Sequence, residues 1–163
     1  MYRLEPERSQ DFWEVEALYD LCFAPGRTAL SSYRLRDGVD PIAGLCFVAR
    51  DAGGQVGGAI RVWPVRVGGV PVALLGPVAV HPIAQGEGLG GALIRQVLAE
   101  AREIGWLRVL LVGDAPYYSR FGFERLDGVD MPPPTNPVRV LGLALEEGTW
   151  DGVNRAVTRA VGD

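Results

Sequence analysis

The chain has 163 residues, 48% of them hydrophobic, with a formal net charge of -4 and a pI near 5.1. That length suits one domain, 1–163, with a full core, and the acidic balance gives no field for a polyanion, so a small molecule or peptide is expected as partner and nucleic acid is not. The start, Met1-Tyr2-Arg3-Leu4-Glu5-Pro6-Glu7-Arg8, alternates charge without a signal-peptide core, and no apolar run nears membrane-spanning length, so a cytoplasmic protein with no membrane contact is expected.

Tyr2 to Leu4 suits a short strand. Ser9 is placed to N-cap a helix that carries Phe12, Val15, Leu18 and Cys22 on one face and stops before Pro25-Gly26. A weaker helical stretch, Ala29 to Arg36, ends at Asp37-Gly38. The period then changes. Leu45 to Arg50, Val56 to Val67 and Val70 to Val80 are rich in Val, Ile and Ala and are separated by Asp51-Ala52-Gly53-Gly54 and Gly68-Gly69, which predicts an antiparallel three-stranded meander. Pro64 and Gly76-Pro77 fall inside these strands, where proline removes a ladder donor, so each is expected at an edge or a bulge.

From Gly88 the spacing is helical, with Leu89, Leu93, Val97, Ala101 and Ile104 on one face and Gly105 where a C-terminal cap is wanted. Leu107 to Val112 predicts a buried strand, Ala115 to Arg120 a short helix, and Phe123 part of a further strand. Met131-Pro132-Pro133-Pro134 opens a loop before a last strand, Val138 to Leu145; the tail from Glu146 carries no clear pattern. The strand-helix-strand crossover makes two neighbouring strands parallel in an otherwise antiparallel sheet, an α+β arrangement.

His81 is the only histidine, and no carboxylate or cysteine cluster accompanies it at ligand spacing, so no metal is expected. Cys22 and Cys46, far apart in apolar surroundings, are expected as buried free thiols.

The chemistry concentrates in Val78-Ala79-Val80-His81-Pro82-Ile83-Ala84-Gln85-Gly86-Glu87-Gly88-Leu89-Gly90-Gly91, which joins a strand to a helix. Glycines there let backbone N–H groups approach an anion, and the helix N-terminus adds partial positive charge, so a pyrophosphate is the natural guest. Gly86, Gly88 and Gly91 satisfy G-x-G-x-x-G, with Asp114 where a ribose-binding acid would stand, which keeps an NAD-dependent oxidoreductase as an alternative. Against it, five residues separate the strand from the first glycine, and too little chain follows Asp114 for a doubly wound sheet.

The same residues resemble the acyl-CoA signature of the GNAT superfamily of N-acetyltransferases, Gln/Arg-x-x-Gly-x-Gly/Ala, through Gln85, Gly88 and Gly90, and its strand-end Val-x-Val-x-Pro through Val78, Val80 and Pro82. Tyr118-Ser119-Arg120-Phe121-Gly122-Phe123 resembles the second landmark of that family, and the longer string from Gly113 resembles a bacterial subgroup. The resemblance is specific from about Leu74 to Phe123. It implies a mixed, mostly antiparallel twisted sheet of about six to seven strands with helices on both faces. It also implies acetyl-CoA held by Val78, Ala79, Val80, Gln85, Gly86, Glu87, Gly88, Leu89, Gly90 and Gly91, and transfer to a primary amine by direct attack, in a monomer or homodimer. Tyr118 matches the tyrosine that protonates the leaving sulfur, with Tyr117 as the adjacent fallback. The glutamate base of many members has no counterpart in Val70 to Val80. His81 is expected to serve the turn and Asp114 to cap a helix. Acceptor recognition falls to the first two helices and the loop from Met131 to Pro137, where Arg27, Tyr33, Arg34 and Arg36 suit solvated surface better than a carboxylate site. A catalytically silent acyl-CoA-binding module remains the other reading.

Overall fold

The apolar patterns resolve, in chain order, into β1 (Arg3–Pro6), α1 (Phe12–Cys22), α2 (Ser31–Arg34), β2 (Phe47–Arg50), β3 (Val56–Val67) and β4 (Val70–Val80). There follow α3 (Leu89–Ile104), β5 (Arg108–Val112), α4 (Ala115–Tyr118), β6 (Glu124–Arg125), β7 (Val140–Ala144) and β8 (Val157–Arg159). The structure is a computed structural model and describes residues 1–23 and 31–160, without the side chains of Ser31 and Ser32. One open sheet runs β1-β2-β3-β4-β5-β7-β6, and β8 pairs with β3 off this path. Among the described strands only β4 and β5 are parallel. That topology is the mixed α+β sheet expected from the crossover, and it excludes the doubly wound sheet of the NAD alternative.

Helices cover both faces because neighbouring residues of a strand point to opposite sides. Ile60 and Val62 of β3 pack with Leu89, Leu93 and Val97 of α3, whereas Ala59 packs with Val15, Leu18 and Tyr19 of α1. Each large side chain so buried contributes about 1.5–3 kcal/mol. Gly105, left-handed at φ 99, ends α3 as its C-cap.

Several boundaries differ from expectation for identifiable reasons. The N-cap is not Ser9: the Asp11 carboxylate takes the Arg8 N–H at 2.8 Å, and α1 starts only after a 3-10 turn. Phe12, expected in the core, is 42% exposed, its ring beneath the Arg61 guanidinium. Ile104, at the last position of the α3 stripe, is also exposed. Pro137–Arg139 is a 3-10 turn, so the last predicted strand starts later. The tail supplies β8, an eighth strand, paired with residues 65–67. Pro25-Gly26, Arg27 and Ala29 lie outside the described residues; α1 itself ends at Cys22, with Phe23 extended.

Pro64 sits at a gap in the outer edge of β3. β2 pairs no further than Ile60 and β8 begins at Val65, and Val62 O accepts from Ile42 N at 2.8 Å on that side. Alternation turns the donorless Pro64 nitrogen to the same side, where no ladder bond is lost.

Two buried arginines tie the N-terminal segment and α1 to the sheet. Arg61 pairs with Glu7 at 2.9 Å and Glu16 at 2.6 Å, and Arg50 pairs with Glu5 and Asp11. Burial alone would raise the Asp11 carboxyl, but the Arg8 N–H and the Arg50 guanidinium outweigh it and hold the group below the ordinary aspartate value. Such a carboxyl adds stability above its unfolded value of about 3.9, and that stability is lost as pH falls from there through the lower folded value. Asp11→Asn is therefore expected to cost about 3 kcal/mol near neutral pH, since it breaks one partner from a buried pair. Urea unfolding checks this: the gap between variant and parent should narrow at about pH 3, and an unchanged gap would contradict the assignment.

Candidate active site

The site begins with an extra residue in β4. Ile60 faces Val78 and Val62 faces Leu75, so Arg61 alone stands opposite Gly76 and Pro77. Gly76 sits at φ 132, a conformation that L side chains rarely adopt. A bulge of this kind bends its strand and takes residues out of the ladder. On the other edge of β4, β5 pairs only at Ala73↔Val109 and Leu74↔Leu110, and past these the strands part. The opening is a cavity of about 430 Å³ walled by residues 74–78 and 111–114, by Tyr117 and Tyr118, and by Arg139, with Phe23, Tyr33 and Arg36 on the α2 side.

Backbone direction in the cleft follows from one hydrogen bond. The His81 N–H donates to Gly57 O at 2.8 Å, toward β3. By alternation the Ala79 N–H also turns to β3, and those of Val78 and Val80 turn to the parted edge. The Ala79 side chain is buried against α1. Of the three strand residues expected around an acyl-CoA, Ala79 therefore faces away.

Past β4, His81 Nδ1 accepts the Ile83 N–H at 3.2 Å and caps a 3-10 turn, Pro82–Ala84. Gln85 Nε2 donates to Val80 O at 3.4 Å. Gly88, left-handed at φ 72, is the N-cap of α3 and supplies no side-chain acceptor to the first turn. A Cβ on Gly86 or Gly88 would meet nothing within 4 Å. Glu87 is exposed beside them, Leu89 sends its side chain into the core, and Gly90 and Gly91 form the first turn. The positive end of a 16-residue helix thus opens onto bare backbone. Arg95 folds back so that its guanidinium lies 3.1 Å from the Cβ position of Gly91 and over the Phe121 ring. The helical stripe in the sequence gives no sign of that placement.

Asp114 caps α4, accepting the Tyr117 N–H at 3.3 Å. The Tyr117 and Tyr118 rings meet edge to face at 4.9 Å, and both reach the cavity. Tyr117 Oη lies 3.7 Å from the Cβ position of Gly90, beside α3. Tyr118 covers Gly113, where an added Cβ would collide with its ring. Burial pushes the Tyr118 hydroxyl above the ordinary tyrosine value, Tyr117 adds to the rise, and Arg139 opposes it; the group is protonated throughout the neutral range.

Among the described residues that line the cleft, the charged ones are Arg36, Arg139 and Asp114. Arg139 had no sequence signal: it arrives because Gly113 N–H donates to Arg139 O at 2.9 Å. Arg34 instead donates to Pro133 O at 2.7 Å, joining α2 to the proline loop. Cys22 and Cys46 are free but half-buried rather than fully buried, and Cys22 Sγ donates to Val80 O at 3.3 Å. Among the described residues no cluster could hold a metal ion, and no helix is long and apolar enough to cross a membrane.

The family model for the acetyltransferase (GNAT) domain matches residues 43–125. The uncharacterised N-acetyltransferase YhbS of Escherichia coli K12 is 36% identical over 112 residues, which make up 68% of this chain and 66%, just under two thirds, of that relative. The crystal structure of Escherichia coli YhbS in complex with CoA superposes at a TM-score of 0.84 with 29% identity, over 97% of this chain and 89% of that one. A GNAT family acetyltransferase from Brucella melitensis, in complex with acetyl-CoA, gives a TM-score of 0.75 with 30% identity over 99% of this chain and 97% of that one. Bulge, parted strands and glycine turn all fall inside the matched residues, and the chain belongs to the GNAT acetyltransferase family.

Proposed function

We propose that the chain is an acetyl-CoA-dependent N-acetyltransferase acting on the primary amine of a small molecule or peptide by direct attack. The observation that carries this reading is the cleft itself, which brings the parted edge of β4 and a half-buried, protonated tyrosine into one cavity. The relatives solved with CoA and acetyl-CoA support the choice of donor.

In this reading the backbone of residues 86–91 takes the pyrophosphate at the positive end of α3, with Arg95 close by as a cation. Val78 and Val80 turn main-chain groups toward the pantetheine arm, and the Val78 N–H polarises the thioester carbonyl. Attack joins the amine nitrogen to the acetyl carbon and breaks the carbon–sulfur bond. Tyr118 gives its proton to the departing sulfur, as a phenol that is not ionised at neutral pH can. The amine must arrive neutral. The one carboxylate on the cleft wall, Asp114, is engaged as a cap, so the nitrogen's proton leaves to water.

Acetyl-CoA at about 100 times its dissociation constant should stabilise the protein by about 2.7 kcal/mol, and NAD should not. Thiol release from acetyl-CoA with an amine panel then tests for turnover; binding without release would leave a silent CoA-binding module.

Gly90→Ala should keep CoA affinity, because its methyl meets Val80 and Tyr117 only at 3.6 and 3.7 Å. Gly90→Asp should lower it by about 100-fold or more, by setting a carboxylate against phosphate. Equal affinity in the two variants, measured by calorimetry, would move the phosphates elsewhere.

Tyr118→Phe removes the hydroxyl and keeps the ring, and should reduce kcat by about 100-fold with acetyl-CoA affinity little changed. Tyr117→Phe is the control; the opposite pattern would hand the role to Tyr117.

A further inference from the structure

A trans peptide unit is rigid and planar, so its carbonyl oxygen and the N–H that follows point in opposite directions, and whatever holds one aims the other. The unit between Pro77 and Val78 lies at the bulge, and its N–H is the one that polarises the thioester carbonyl in the acetyltransferase reading. Its oxygen is held from α1, where the Tyr19 hydroxyl donates to Pro77 O at 3.0 Å. The proline ring locks φ of residue 77, which leaves ψ of Pro77 and φ of Val78 as the rotations that turn this plane. At Ala73 and Leu74 ladders on both edges of β4 resist such turning; past them the β5 edge is open. A bond to Pro77 O opposes the rotation from the carbonyl side.

Tyr19 is itself well fixed. It is fully buried among Val15, Leu18, Val48, Ala59 and Ala79, and the Arg61 guanidinium lies over its ring at 5.3 Å. Arg61 is the residue opposite the bulge and is clasped by Glu7 and Glu16. Burial drives the Tyr19 hydroxyl well above the ordinary tyrosine value, so it stays a donor throughout the neutral range. Away from water such a bond is electrostatically stronger, and linked hydrogen bonds polarise one another, here through the carbonyl to the N–H of the same peptide unit.

Resting on the acetyltransferase reading, we infer that Tyr19 is a positioning residue for the oxyanion donor: by holding Pro77 O it turns the Val78 N–H into the cleft and strengthens it. Tyr19 touches neither acetyl-CoA nor the amine and acts through one peptide plane.

Tyr19→Phe keeps the ring and removes only the hydroxyl. The first readout is the infrared band of the isotope-labelled thioester carbonyl of acetyl-CoA bound without an acceptor. A strong, well-aimed donor lowers that band, so it should lie higher in Tyr19→Phe than in the parent. Single-turnover thiol release, with an amine of the panel or with water as acceptor, should slow by about tenfold, short of the roughly 10²- to 10³-fold expected when an oxyanion donor is lost outright. Acetyl-CoA affinity should stay within about twofold. Val48→Ala, in the same buried cluster, removes methyl groups and no hydrogen bond; it should lower the melting temperature and leave band and rate in place. An equal band in parent and Tyr19→Phe, or the same displacement in Val48→Ala, overturns the inference. Where Tyr19→Phe does not fold, fluorotyrosine at position 19, a stronger donor, should lower the band further, and an unmoved band overturns the inference. Failure of acetyl-CoA to bind the parent would sink the acetyltransferase reading and this inference with it; binding with a band indifferent to the Tyr19 hydroxyl sinks this inference alone.

Discussion

Arg61 standing alone against two residues of β4 is the constraint from which the site follows. Before the bulge, Ala73 and Leu75 of β4 face α3; after it, Val78 and Val80 do. One extra residue has exchanged odd for even, so every later side chain and amide of the strand changes sides. Without that exchange the Val78 and Val80 N–H groups would be consumed by β3. With it they open onto the cleft. The arrangement is held from the α1 face, where the Tyr19 hydroxyl donates to Pro77 O at 3.0 Å and Arg61 is clasped by Glu7 and Glu16. Buried ion pairs of this kind add little net stability, whereas removing one member costs about 3–5 kcal/mol. The network penalises departures from the bulged geometry more than it stabilises the fold.

Much of this was legible in the sequence. β3 and β4 run from Val56 to Val67 and from Val70 to Val80, as expected, because β-branched runs flanked by Gly-Gly and Asp-Ala-Gly-Gly leave little freedom of register. Gly76-Pro77 announced the irregularity, since neither residue belongs in a central ladder. β8 was not legible: three residues in a polar tail acquire their conformation only from the edge of β3. The facing of Ala79 was hidden for a related reason. A uniformly apolar strand shows no alternation, so nothing in its composition reveals the parity change at the bulge.

The two halves of the cleft differ in what they are made of. The side toward α3 consists of backbone amides, glycines and a helix terminus, and such features leave a contiguous trace in the chain. The other wall is assembled in part from Phe23, Tyr33, Arg36 and Arg139, side chains from three separate segments that only tertiary packing unites. Arg36 and Arg139 look like ordinary surface residues until the fold sets them beside Tyr118. Cofactor class was therefore readable from residue order, while the make-up of the other wall was not.

The outer edge of β3 bears on how this molecule behaves in a crowd. A 12-residue strand rich in valine would offer a long template for edge-to-edge association with other chains. Here β2 occupies the edge as far as Ile60, the Ile42 amide occupies Val62 O, Pro64 brings no donor, and β8 covers residues 65–67. No two neighbouring backbone positions along it remain for a foreign strand to pair with, so edge-to-edge association through β3 is blocked by four small and unrelated devices.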